Sequence, residues 1–218
     1  MKVIEELIKG LAAPLTENGQ GGSTASGPFT TSATGPWFQS PANIIPAATS
    51  KITVSIQCNP VADGLQGLFA FNYDLYAHTN SAGAVSFQVK DDTGTDIMAS
   101  RRTAKHILQV GQDQTVVVSV DLAAKLVVGR IIGGTLTTIG AYPVTQPNSG
   151  AFDTTLDLRL LKNPWDTSQF LGSVDYMKVW FGQATTDGSE PGATPDIEIT
   201  GPASVVNQHP WKQGADAT

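Results

Sequence analysis

The chain has almost no glutamate where an enzyme would want it. Its five glutamates are Glu5, Glu6, Glu17, Glu190 and Glu198, so residues 18–189 contain none. A glycoside hydrolase needs two carboxylates about 5–9 Å apart, one of them a proton donor. Aspartates alone are left for that task. Asp153 and Asp157, four apart on one expected strand, would stand roughly 13 Å apart by strand rise, too far for either glycosidase geometry. Arg159, on the same expected face, reads as the ion-pair partner of Asp157. Histidine is nearly as scarce: His78, His106 and His209 lie far apart, with no HExxH or His-to-Cys spacing for zinc. The lone cysteine, Cys58, excludes an internal disulfide and a CxxC motif, and within KITVSIQC it reads as a small core residue. No GxSxG elbow is present, and GQGGSTASG (19–27) lacks lysine and precedes no expected helix, so it cradles no phosphate. The expectation is a protein that is not an enzyme and uses no cofactor.

Positive charge and long apolar runs are also lacking. Lys and Arg number 13 against 19 Asp and Glu, a net charge of −6, which opposes direct nucleic-acid binding. Arg101, Arg102 and Lys105 form the basic cluster, with no aromatics interleaved. They read as an interface to a carboxylate or as a solvated loop. No run approaches the eighteen apolar residues of a membrane span. Glu5 and Glu6 interrupt the apolar core that a signal peptide would need, so none is expected. Asp91, Asp92 and Asp96 gather at one turn, which suits a cation or simply the habit of turn aspartates to bond their own backbone. Without EF-hand spacing, and with Lys90 alongside, no metal is assigned.

What the chain does contain falls into four parts. Residues 1–17 predict a short amphipathic docking helix, with Val3, Ile4, Leu7, Ile8 and Leu11 on one face. Glu5 precedes Lys9 by four residues on the other face, and Pro14 ends the segment. So short a helix is marginal alone in water, so its stripe should be buried against protein, its own sandwich or a neighbouring subunit. Residues 18–50 carry no charge and read as a linker followed by an extended arm. Residues 51–182 alternate apolar and polar through about ten expected strands bounded by turn clusters, without βα alternation. That predicts an all-β, antiparallel sandwich of jelly-roll-like kind. Residues 183–218 read as a second, C-terminal arm with one weak strand at Ile197 and Ile199.

In VDYMKVWF (174–181), strict alternation puts Val174, Tyr176, Lys178 and Trp180 on one face. That face could be a recognition surface, with Tyr176 and Trp180 stacking on glycans, although a core place for Trp180 is preferred.

The layout of docking peptide, uncharged arm, compact sandwich and polar tail resembles that of viral and bacteriophage jelly-roll structural proteins. The resemblance is one of arrangement, without a signature motif. It implies a non-catalytic virion component assembled in the host cytoplasm: capsid, decoration, spike-base or tail. Its partners would be copies of itself and other structural proteins. A basic arm, common where a shell binds genome directly, is missing. The alternative expectation is a carbohydrate-binding β-sandwich or receptor-binding protein whose partners are glycans.

Overall fold

The computed structural model describes residues 29–31, 37–80, 83–102, 108–134, 138–143, 148–162, 170–200 and 212–214. The expected docking helix, with Val3, Ile4, Leu7, Ile8 and Leu11, lies outside them, as does Lys105. All regular structure within them is β. The strands in chain order are β1 (Phe29–Thr31), β2 (Trp37–Gln39), β3 (Lys51–Pro60), β4 (Gln66–Phe71), β5 (Leu75–Thr79), β6 (Val85–Lys90) and β7 (Asp96–Arg102). They continue with β8 (Gln114–Asp121), β9 (Leu126–Gly133), β10 (Thr138–Pro143), β11 (Leu158–Leu160), β12 (Gly172–Phe181), β13 (Ile197–Ile199) and β14 (Lys212–Gly214).

They form the jelly-roll-like antiparallel sandwich, two sheets of seven strands each. One sheet runs β1-β12-β3-β8-β9-β10, with β13 also on β12; the other runs β14-β2-β11-β4-β5-β6-β7. We call them the β3 sheet and the β4 sheet. The alternation of Ile52, Val54, Ile56 and Cys58 faces them inward, against Phe69, Phe71, Ala77 and Phe87 from the opposite sheet. Phe71 meets Phe181 edge-on across the sandwich, ring centroids 6.4 Å apart. Cys58 is buried, and burial pushes its thiol pKa up to about 12, so it packs as a small apolar group.

Several local expectations change. The apparent alternation through 69–76 is a hairpin: β4 ends at Phe71, the chain turns through Asn72–Asp74, and β5 begins at Leu75. Asn72 adopts φ 48°, a left-handed conformation that asparagine tolerates well, and Asp74 N–H closes the turn on Phe71 O at 3.1 Å. Asp153 lies in a turn, not a strand; its Oδ1 accepts from the Thr155 N–H at 2.8 Å. The one strand expected to carry both Asp153 and Asp157 is reduced to the three residues of β11, which begins after Asp157. The expected extended arm enters both sheets, β1 pairing β12 and β2 pairing β11. Arg101 and Arg102 end β7, at one margin of the β4 sheet, opposite Phe87 and Ser86 in register.

Candidate functional site

The outer face of the β3 sheet holds the aromatics expected to meet glycans, and it is covered. Residues 183–196 cross it as a strap. Thr53 Oγ1 donates to Gln183 O at 3.0 Å, and the Thr185 N–H donates to Ser119 Oγ at 2.8 Å. Trp180 is 1% exposed, and its indole N–H donates to Ala193 O at 2.8 Å. It is buried beneath the strap, outside the core between the sheets, so it cannot stack on a sugar in this structure. Tyr176 OH donates to Glu190 Oε1 at 2.8 Å, Ser55 Oγ to the same oxygen at 2.6 Å, and Lys178 Nζ lies 3.2 Å from Oε2. Lys178 Nζ also sits 4.3 Å from the Tyr176 ring centroid, a cation–π contact. Burial pushes the Glu190 carboxyl up, but the bonds from Ser55 and Tyr176 and the Lys178 charge outweigh it, and its pKa is lowered.

Strict alternation through β12 fails because of a bulge. The register with β3 shifts between Val174 and Tyr176, leaving Asp175 as the extra residue. Val174 therefore belongs to the core with Met177 and Val179, while Tyr176, Lys178 and Trp180 stay outside.

The other sheet carries a different arrangement. Cross-strand register lines up Gln39, Arg159, Ala70, Tyr76 and Gln88 in one row over β2, β11, β4, β5 and β6. This is the outer row, because the adjacent positions Phe69, Phe71, Ala77, Phe87 and Leu160 belong to the core. Tyr76 OH donates to Gln88 Oε1, and Gln88 Nε2 donates to Asp96 Oδ1 at 2.5 Å. The Tyr76 ring lies 5.5 Å from that of His78.

At the Gln39–Arg159 end of this row opens a cavity of about 340 Å3, within the range of small-molecule sites. Gln39, Ser40, Asn72, Asp157 and Arg159 line it, with Pro41 and Ala42 as one wall. Asp157 is the centre of the group. Gln39 Nε2 donates to Asp157 Oδ2, and Arg159 Nε lies 3.5 Å from the same oxygen. Both charged side chains are largely sheltered, 19% exposed for Arg159 and 17% for Asp157. Ser40 fixes the backbone beneath: its N–H donates to Leu158 O, and its Oγ accepts from Leu158 N–H, both at 2.8 Å. The cavity therefore presents a planar guanidinium and a carboxamide from strands β11 and β2, the Asp157 carboxylate just before β11, and a second carboxamide from the Asn72 turn.

Asp157 and Arg159 pair as the sequence suggested, yet their partners were not legible. Gln39 stands 118 residues from Asp157, and Asn72 belongs to a turn that the alternation had hidden. An arginine two residues after an aspartate in a polar-faced strand was the available signal. Asp91 is 2% exposed and saturated: its Oδ1 accepts from Thr93 N–H, Thr93 Oγ1 and Thr95 N–H, its Oδ2 from Ser149 N–H. Those bonds outweigh burial and lower its pKa. Among the described residues, no group of three His, Cys, Asp or Glu is placed to hold a metal ion.

No family model matches the chain, and no curated protein matches it in sequence. Solved structures do match its fold. The NanB sialidase of Streptococcus pneumoniae is similar with a TM-score of 0.51 and 15% identity, over 76% of this chain and 27% of that one. This chain thus spans about a quarter of that sialidase. The CBM40 module of the Ruminococcus gnavus IT-sialidase, bound to alpha2,3 sialyllactose, is similar with a TM-score of 0.48 and 15% identity, over 64% of this chain and 79% of that one. At such identities the likeness speaks for the fold. It also corrects the expectation of a virion component, whether capsid, decoration, spike-base or tail: the layout behind it carried no motif, and the sandwich is of a kind found in a sialidase.

Proposed function

We propose that this chain is a non-catalytic, carbohydrate-binding β-sandwich whose ligand enters the cavity at Gln39, Asn72, Asp157 and Arg159. The observation that carries the reading is the Gln39–Asp157–Arg159 group. A sugar ring offers adjacent hydroxyls that both donate and accept, and planar groups able to make two parallel bonds match such pairs. Guanidinium, carboxylate and carboxamides supply both roles around one volume. Because Asp157 is already braced, little side-chain entropy is lost when a ligand binds. Asp157 is the single carboxylate in the lining. The acid and nucleophile or base that glycoside cleavage demands are not paired there, which favours binding over hydrolysis. The names of the similar structures, a sialidase and a module bound to sialyllactose, agree in substrate class with the site's chemistry.

The test is a printed glycan array probed with wild-type protein and with Gln39→Ala and Arg159→Ala. Wild type should bind a defined set of glycans, and each variant should lose at least about tenfold in affinity, the loss of one or two good hydrogen bonds. A folded wild type that ignores every glycan would refute the reading. So would glycan hydrolysis by the wild type that Asp157→Asn abolishes.

A further inference from the structure

Four large apolar side chains among the described residues stand conspicuously exposed: Val61, Leu65, Tyr73 and Val110. Val61, Leu65 and Val110 sit in loops at the Pro60 end of the sandwich, where Gly111 N–H bonds Pro60 O at 2.8 Å. Tyr73, 43% exposed, is at the opposite end of β4, in the Asn72–Asp74 turn. It directly follows Asn72, which lines the cavity, so the two Cα atoms are about 3.8 Å apart. The turn is held firmly, by Asp74 N–H on Phe71 O at 3.1 Å and Lys90 N–H on Asp74 O at 2.6 Å. An exposed aromatic on a hydrogen-bonded turn, next in sequence to a cavity-lining residue, gives a face for the apolar side of a second sugar ring.

Resting on the carbohydrate-binding reading, we infer that the ligand is an oligosaccharide, with one unit in the cavity and the next, uncharged, stacked on Tyr73. The charge around the turn sets the second condition. Asp92 N–H bonds Ala151 O at 3.0 Å, joining the 91–95 turn to the 148–155 loop, and Lys90 ties the same turn to Asp74. Asp74, Asp91, Asp92, Asp96 and Asp153 therefore crowd this end against Lys90, whose Nζ lies 3.9 Å from Asp96. The Asp74 carboxyl is pushed up chiefly by burial, relieved by Lys90 and reinforced by Asp153, Asp96 and Asp91. An acidic unit on Tyr73 would meet that field at short range.

The experiment compares wild type, Tyr73→Ala, Tyr73→Phe and Gln39→Ala on neutral and sialylated mono-, di- and trisaccharides, by array and then by titration with the monosaccharide and the neutral oligosaccharide bound best. Wild type should gain about tenfold from the monosaccharide to the neutral oligosaccharide, the scale of one aromatic contact. Tyr73→Ala should erase that gain and leave monosaccharide affinity unchanged; Tyr73→Phe should keep it. Gln39→Ala should weaken both ligands. Equal affinity of Tyr73→Ala and wild type for every oligosaccharide overturns the inference and leaves the cavity reading standing. So does a preference for charge on the extending unit. Absence of glycan binding by wild type overturns both.

Discussion

Glu190 gathers three of the strap's attachments on one carboxylate. It accepts from Ser55 and Tyr176 and faces Lys178, so the ionised form is the one the fold favours. Its pKa is depressed. The stabilisation it gives is therefore fully present above the unfolded carboxylate pKa and is lost as pH falls through the lower folded value. Asp91 behaves in the same sense. Asp74, raised chiefly by burial, acts oppositely: its contribution is present below the unfolded pKa and lost as pH rises through the folded one. Glu190→Gln should cost about 1–2 kcal/mol at neutral pH, partial exposure reducing the worth of charged hydrogen bonds. Urea unfolding measures this, and the variant should show a shallower loss of stability on acidification than wild type. Hydrogen exchange in 183–196 should rise with it. Trp180→Ala should cost about 3–5 kcal/mol, the toll of emptying a large buried aromatic site, while glycan affinity per folded molecule stays unchanged. That outcome separates a side chain that holds the strap from one that meets ligand.

At the scale of strands, two glycines carry close approaches that no side chain could share. Gly172 has φ 153°, and a Cβ there would lie 2.1 Å from Asn59 O, inside the β3–β12 pairing. Gly172→Ala should cost at least about 3 kcal/mol, strain and backbone collision together. Gly129 on β9 would put a Cβ 2.8 Å from Phe87 of the facing sheet, so Gly129→Ala should cost about 1–3 kcal/mol by overpacking. Thermal melts of the two variants check the order. Apolar patterning in the sequence located β3 within KITVSIQC and β12 within VDYMKVWF, because one face of each packs on the core. It failed where a single residue breaks the period. Asn72–Asp74 reads as continuous alternation yet turns the chain, and the extra residue at Asp175 switches faces within β12. Neither event changes hydrophobicity, so neither leaves a mark in a pattern of apolar positions.

For the whole molecule, the class of fold was legible while the site was not. Turn spacing and the lack of βα alternation are local properties and suffice for a sandwich. The cavity depends on β2 pairing β11 and β11 pairing β4, contacts between segments far apart in the chain. Composition cannot choose among such pairings. The aromatics that drew attention in the sequence became fastenings beneath the strap, and a modest Asp–Arg pair became the polar centre of the cavity. The central claim is that this centre binds sugar. Its most direct test is amide and side-chain chemical-shift mapping of isotope-labelled protein, titrated with the best glycan from the array. Saturable shifts confined to Gln39, Ser40, Asn72, Tyr73, Asp157 and Arg159 are the expected result. Shifts clustered instead at the strap around Tyr176 and Glu190, or none with any glycan, would contradict it.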